Sequence, residues 1–233
     1  MENSTTSKYK CEKCHDEGGT LQTINGYLTW VECSCNVQRK INALLKVSGI
    51  NPEEYELKSL ETFLPDNEMA KAMKKNALDF LNSSAVGIGY FGKSGIGKTH
   101  ICIAICQEFT KRHLLTHKYF SYRTEIQKLK SCFYDREEYD KLMQKWIYCK
   151  VLYLDDLFKF SVDKNGGLKN QDLEIMFDII NTRYINRSIT IFSSEYSLKD
   201  IMLIDEALGS RIYSMVKNFG MKCEGENRRL KGE

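Results

Sequence analysis

Gly92-Lys93-Ser94-Gly95-Ile96-Gly97-Lys98-Thr99 stands between a short apolar run, Val86 to Phe91, and a stretch from Ile101 to Phe109 that is apolar nearly all round. The octet satisfies the pattern G-x-x-x-x-G-K-[ST] in its required setting of strand, loop and helix. Gly92, Gly95 and Gly97 free the backbone to turn its N–H groups toward phosphate oxygens at a helix N-terminus, where the dipole favours negative charge. In such a loop Lys98 reaches the β- and γ-phosphates and the Thr99 hydroxyl ligates Mg²⁺. An isolated match is also compatible with a glycine turn of no function. The setting favours the phosphate reading and predicts ATP with Mg²⁺ as the ligand.

A phosphate loop needs an acid at the end of a buried strand to position the metal. Val151-Leu-Tyr-Leu-Asp155-Asp156 supplies two. Asp155 is placed to hold Mg²⁺ directly or through water, and Asp156 stands where a general base or water-orienting carboxylate belongs. Further apolar runs at His117–Tyr122 and Ile189–Phe192 alternate with helical patterns at 124–130, 137–148, 171–185 and 206–217, and another begins near Asp66. Strands alternating with helices predict an α/β fold with a parallel five-stranded sheet covered on both faces.

The 233 residues allow one good-sized core plus a small appendage, and a net charge of +3 confines any basic surface to a local patch. No apolar run approaches the ~20 residues of a membrane span, and the first residues lack a leader's layout, so the expected location is cytoplasmic. The expected organisation is a disordered 1–9, a cysteine module with a short helix at 10–47, a linker at 48–61 and an ATPase domain from 62 to 233.

Of nine cysteines, Cys11, Cys14, Cys33 and Cys35 crowd the N-terminus, and the scattered five read as small buried hydrophobes. Thr20–Ile24 and Tyr27–Val31 read as strands joined by Asn25-Gly26, a strong hairpin turn. That hairpin brings the two pairs to one end, where four thiolates surround a tetrahedral Zn²⁺; free thiols are the alternative, and His15 is a substitute ligand. So short a module buries too little surface to fold without such a staple.

The segments G-K-S-G-I-G-K-T-H (92–100), V-L-Y-L-D-D-L (151–157), I-I-N-T-R-Y (179–184), S-S-E-Y-S-L (193–198) and A-L-G-S-R-I (207–212) together resemble those of the AAA+ helicase loaders of bacteria and phages. This is the DnaC/DnaI-like family, with the IstB transposition ATPases as near relatives. The resemblance implies an AAA+ P-loop NTPase that lacks a full helical lid. It puts Ser194 or Glu195 at the sensor position near the γ-phosphate, and makes Arg211 an arginine finger that completes a neighbouring subunit's site, so that the chain forms a homo-oligomer. It implies a Mg-dependent ATPase that loads a hexameric replicative helicase onto single-stranded DNA, with the zinc module contacting the helicase. A transposition helper and a non-hydrolysing ATP-binding adaptor are the alternatives.

From Lys111 to Lys150 ten Lys/Arg accompany five Asp/Glu, interleaved with aromatics. Arg123, Lys128 and Lys130 are the expected contacts to single-stranded DNA, whose binding combines cationic grooves with stacking platforms. Aromatics packed inward are the competing reading.

Overall fold

The computed structural model describes residues 9–159 and 170–230, so the expectation of a disordered 1–9 falls almost wholly outside the described residues. In chain order the elements are β1 (Gly19–Ile24), β2 (Tyr27–Glu32), α1 (Ser34–Lys46), α2 (Pro52–Leu57), α3 (Glu68–Leu81), β3 (Gly87–Gly92), α4 (Lys98–His113), β4 (His117–Ser121), α5 (Tyr122–Ser131) and α6 (Arg136–Ile147). They continue as β5 (Val151–Asp155), α7 (Asn170–Ile185), β6 (Ile189–Ser194), α8 (Leu198–Ile204), α9 (Glu206–Val216), β7 (Gly220–Cys223) and a 3₁₀ turn at Arg228–Leu230. Among the described residues no helix is long and apolar enough to cross a membrane.

β1 and β2 form an antiparallel hairpin, and the other five strands make a parallel sheet in the order β4-β5-β6-β3-β7. β6 lies between β3 and β5, so the carboxyl end of β6 is inserted between the phosphate loop and Asp155. Ligands of open parallel sheets bind outside the carboxyl ends of the strands, which is where these three ends converge.

Strand alternation builds the two cores. Val151, Tyr153, Ile191 and Ile88 face one side with α3 and α4, while Leu152, Leu154, Phe192 and Phe120 face the other with α5, α6, α7 and α9. Ile101 through Thr110 are all buried, the polar Gln107, Glu108 and Thr110 included, in keeping with a stretch that is apolar nearly all round. Cys102, Cys106 and Cys223 are buried, and Cys132 and Cys149 partly so. The arginine of the I-I-N-T-R-Y segment is a structural tie. Arg183 is fully buried and donates to the carbonyls of Trp146, Ile147 and Cys149 at 2.9–3.1 Å, to Ile189 at 2.6 Å and to Thr190 Oγ1 at 3.0 Å. It satisfies the orphan carbonyls at the end of α6 and pins them to β6.

The stretch 48–61, expected as a linker, is packed onto this core. Asn51 caps α2, and Ile50, Tyr55 and Leu60 are buried against α4. A hydrogen-bonded chain secures it: Ser48 Oγ to Tyr55 OH, 2.5 Å; Tyr55 OH to His117 Nε2, 2.5 Å; His117 Nδ1 to Thr110 Oγ1, 2.9 Å. Because the Thr110 hydroxyl donates to the Leu115 carbonyl at 2.8 Å, it accepts from His117 Nδ1–H, and Tyr55 donates to Nε2. Gly49 and Pro52 interrupt the helical pattern, but they bend the chain without releasing it.

Burial pushes the His117 imidazole down to about 4 from its ordinary 6.5. Below pH 6.5 the unfolded chain therefore binds a proton that the folded chain excludes. Stability is full above pH 6.5 and falls as pH drops toward 4, by up to about 3 kcal/mol from this group. Thermal melts from pH 7.5 to 4.5 should show a smaller acid-induced loss for His117→Gln than for the wild type. An unchanged loss would contradict the buried neutral imidazole.

Candidate active site

β3 delivers Gly92 to the carboxyl edge of the sheet, and the loop that follows turns through Gly92, Gly95 and Gly97 at φ of 135°, 78° and 103°. These are left-handed values that side chains resist. Gly97 precedes α4 without a side-chain cap, which leaves the first N–H groups of the helix pointing into the site. Ile96 is buried and anchors the loop's underside. Lys98 is also buried, and its ammonium donates to the carbonyls of Gly92 and Lys93, both at 2.7 Å. Burial lowers its pKa below the ordinary lysine value, against the pull of Cys223, Asp156 and Glu195.

Asp155 gathers hydroxyls from four elements. Its Oδ1 accepts from Ser193 Oγ at 2.6 Å, from Thr99 Oγ1 at 3.2 Å and from Tyr153 OH in a short contact, and its Oδ2 accepts from Tyr119 OH at 2.8 Å. Two cis ligands of an octahedral Mg²⁺ at about 2.1 Å stand about 3.0 Å apart, so the Thr99–Asp155 pair fits that ion. Asp156, next along, leaves the strand at φ 52°. Its amide donates to Ser193 Oγ at 3.1 Å, and its carboxylate takes Lys159 Nζ at 2.9 Å. The same ammonium reaches Glu195 Oε1 at 2.9 Å. Lys159, with help from the Ser94 hydroxyl, holds the Glu195 carboxyl below the usual carboxylate range. Ser194 is buried and committed to backbone, donating to the Leu157 carbonyl at 2.7 Å and accepting from Tyr196 N at 3.1 Å. Of the two sensor candidates, Glu195 is the one whose side chain faces the phosphate loop.

The cavity beside the loop has a volume of about 470 Å³ and is lined, among the described residues, by Lys58, Lys98, Lys159, Arg228 and Arg229 against two carboxylates, Asp155 and Asp156. That surplus of positive charge suits a polyanion. His100, which follows the octet, fastens residues 59–63 to α4. Its Nε2 lies 3.0 Å from the Ser59 carbonyl, and its ring meets Phe63 edge-on at 5.0 Å. Tyr119, Tyr153, Ser193, Lys159 and Lys58 are site residues that sequence reasoning missed. Only Ser193, beside Ser194, carried a signal. Arg211 does not line the cavity. On α9 it donates to Asn181 Oδ1 and to the Ala207 carbonyl, both at 2.7 Å, and lies 4.7 Å from the Phe177 ring.

The four N-terminal cysteines do converge. Their sulfurs lie within 4.8 Å of one another, with Cys11–Cys33 at 3.7 Å and Cys14–Cys35 at 3.4 Å. Tetrahedral M–S bonds of about 2.3 Å give S···S edges of about 3.8 Å, so the set fits a tetrahedral thiolate site. The tight Cys33-x-Cys35 spacing works because Cys33 follows β2 in extended backbone as the residue before α1, while Cys35 is already in the first turn of the helix. Arg39 Nη2 sits 3.3 Å from the Cys35 sulfur and supports negative charge there. His15 lies outside this cluster and packs on the Tyr9 ring at 4.6 Å.

The basic segment is corrected in part. Lys130 pairs with buried Asp172 at 2.6 Å, Lys128 with Glu125 at 2.7 Å, and Phe120, Tyr122 and Trp146 are core residues. Helix α5 turns Lys130 toward Asp172 because it shares a face with Ile126, whereas Lys128 stays exposed. Arg123, Tyr134 and Tyr148 remain exposed.

A family model described as IstB-like ATP binding protein matches residues 10–231. The phage-like element PBSX protein XkdC of Bacillus subtilis (strain 168) is 31% identical, with the alignment covering 98% of this chain and 89% of that protein. Among solved structures, the DnaC helicase loader superposes with a TM-score of 0.60 at 21% identity, over 74% of this chain and 98% of that one. The replication initiator DnaA bound to AMPPCP and single-stranded DNA superposes with a TM-score of 0.61 at 21% identity, over 78% of this chain and 53% of that one. The two superpositions show that the fold is shared.

Proposed function

The chain belongs to the family of IstB-like ATP binding proteins, and on that premise we propose that it is a Mg-dependent ATPase that loads a replicative DNA helicase onto single-stranded DNA. The observation that carries the enzymatic half is the Thr99–Asp155 contact beneath the phosphate loop, with Asp156 beside it. Thr99 and Asp155 would hold Mg²⁺, which offsets charge on the transferred phosphoryl group. Lys98 exchanges its two loop carbonyls for phosphate oxygens, and Asp156, released from Lys159, orients or deprotonates the attacking water. Glu195 reports the γ-phosphate through the same lysine. Arg211 is offered to a neighbouring copy's site as the arginine finger, which makes the active form a homo-oligomer.

The partner half rests on the N-terminal module. Zn²⁺ on Cys11, Cys14, Cys33 and Cys35 would staple a hairpin that leaves Leu21, Tyr27, Leu28 and Trp30 more than half exposed. Apolar side chains presented on a small rigid scaffold suit a protein partner. A hexameric helicase is the partner that the loader resemblance implies. ATP then times assembly and release of the complex in the cytoplasm, and Arg123 on the exposed start of α5 contacts the DNA strand.

Asp156→Asn should keep ATP binding and lose turnover by at least about 100-fold, with the wild-type rate responding to single-stranded DNA. Equal near-zero rates in both would leave a non-hydrolysing adaptor. The tagged chain should co-purify with the hexameric helicase of its host; a stable complex with a transposase instead would make it a transposition helper. Metal analysis should find one zinc per chain, lost together with helicase binding in the Cys14→Ser, Cys33→Ser double variant. Metal-free wild-type protein that still binds helicase would contradict the staple.

A further inference from the structure

A second cavity opens in the joint where α1, the helix that carries Cys35, meets α2 and α4. It shares no lining residue with the cavity beside the phosphate loop. Its volume is about 350 Å³, within the range of small-molecule sites. Ile41, Leu45 and Pro52 give it apolar walls, of which Ile41 is buried and Leu45 packs on the core of α3 and α4.

One polar group at its wall is unfinished. Gln107 is only 7% exposed, and its Nε2 donates to the Tyr55 carbonyl at 3.4 Å, which orients the amide. Its Oε1 is buried with no hydrogen-bond partner. A buried acceptor without a donor is costly, and a ligand that brings an N–H relieves it. On α1, Gln38 and Asn42 lie one turn apart and bond each other, Nε2 to Oδ1 at 2.9 Å, which leaves the Gln38 carbonyl to accept and the Asn42 amide to donate. Lys46 and Lys111 also line the cavity. Among the described residues Lys46 has no ion pair, and Lys111 meets Glu108 only at 3.7 Å, while Arg112 holds that carboxylate at 2.8 Å. Glu56 is the single carboxylate among the lining residues, so the charge favours an anion. Carboxamides read the edges of nucleobases, apolar side chains cover their faces, a carboxylate takes ribose hydroxyls and ammonium groups take phosphate.

We propose that the crevice between α1, α2 and α4 is a second nucleotide site, which holds one nucleotide unit. The base lies against Gln107 and the Gln38–Asn42 pair, the ribose hydroxyls meet Glu56, and the phosphate meets Lys46 and Lys111. The site is separate from the phosphate loop and does not rest on the ATP reading. A free nucleotide and one unit of a nucleic-acid strand present the same groups to it. Its walls come from the helix that follows the cysteine cluster and from α4, whose first turn carries Lys98 and Thr99. Occupancy therefore bears on how the cysteine module is held to the helix of the phosphate loop.

The test is hydrogen exchange and titration calorimetry on the full chain. The probes are AMP, GMP, CMP and UMP, a short single-stranded DNA of mixed sequence, and two controls without bases, ribose 5-phosphate and an abasic strand. At least one base-bearing probe should slow exchange at 38–46 and 52–57. The Lys46→Ala, Lys111→Ala double variant removes two exposed side chains, so its melting temperature should match the wild type. It should bind that probe about tenfold or more weakly and lose the protection. Gln107→Leu should bind the probe no tighter than its base-free control. Protection by a monophosphate assigns a free nucleotide as the source, and protection by DNA alone assigns a strand; either supports the site. If no probe protects these helices, or if the double variant keeps the wild type's affinity, the site is overturned. A base-free control bound as tightly as its base-bearing counterpart overturns the base contact.

Discussion

The Asp155 carboxylate accepts hydroxyls from α4, β4, β5 and β6, through Thr99, Tyr119, Tyr153 and Ser193. No other group in the described structure ties together so many of the elements that converge on the site. Each hydrogen bond to a buried charge contributes about 1.5–3 kcal/mol, so the set both fixes the carboxylate and aligns the strand ends that carry it. The strand order makes this possible. With β6 inserted between β3 and β5, Ser193 stands between the phosphate loop and the acids, bonded to the Asp155 side chain and to the Asp156 amide. A carboxylate placed this tightly would need little rearrangement to share a metal with Thr99.

Around that fixed point the remaining charges are held by contacts that a bound polyanion would replace. Lys98 rests on its own loop carbonyls, and Lys159 spans Asp156 and Glu195. Phosphate oxygens there would compete for the lysines and free Asp156 for water. The same logic separates the two ends of the chain. The cysteine hairpin is too small for a core of its own and depends on its sulfur cluster. The stretch from 48 to 61, in contrast, is held by buried Tyr55 and His117 and belongs mechanically to the core of the parallel-sheet domain.

Most of the sheet was legible because β3, β4, β5 and β6 are short apolar runs in a chain otherwise periodic for helix. β7 was not, since Gly-Met-Lys-Cys has no pattern and pairs only because β3 offers it an edge. Gly49 and Pro52 read as a linker because breakers report local bending and say nothing about burial, which Ile50, Tyr55 and Leu60 decide. Gly92–Thr99, Asp155 and the four cysteines were visible since their chemistry is encoded in spacing. Tyr119 and Ser193 reach the site from strands distant in sequence, and only the strand order brings them there. The aromatic and basic segment misled for the converse reason. Lys130 and Trp146 sit at spacings that suit a surface, but α5 and α6 turn them toward Asp172 and the core.

The central claim is that the hydroxyl-bound Asp155 and Thr99 together form the magnesium seat of an ATP site. The most direct test is ATP affinity with Mg²⁺ and with EDTA, in the wild type and in Asp155→Asn, whose amide keeps the shape and removes the charge. The account predicts that Mg²⁺ tightens ATP binding to the wild type by about tenfold or more, and that Asp155→Asn loses this gain while binding metal-free ATP undiminished. An Asp155→Asn chain with the wild type's full magnesium dependence would contradict it.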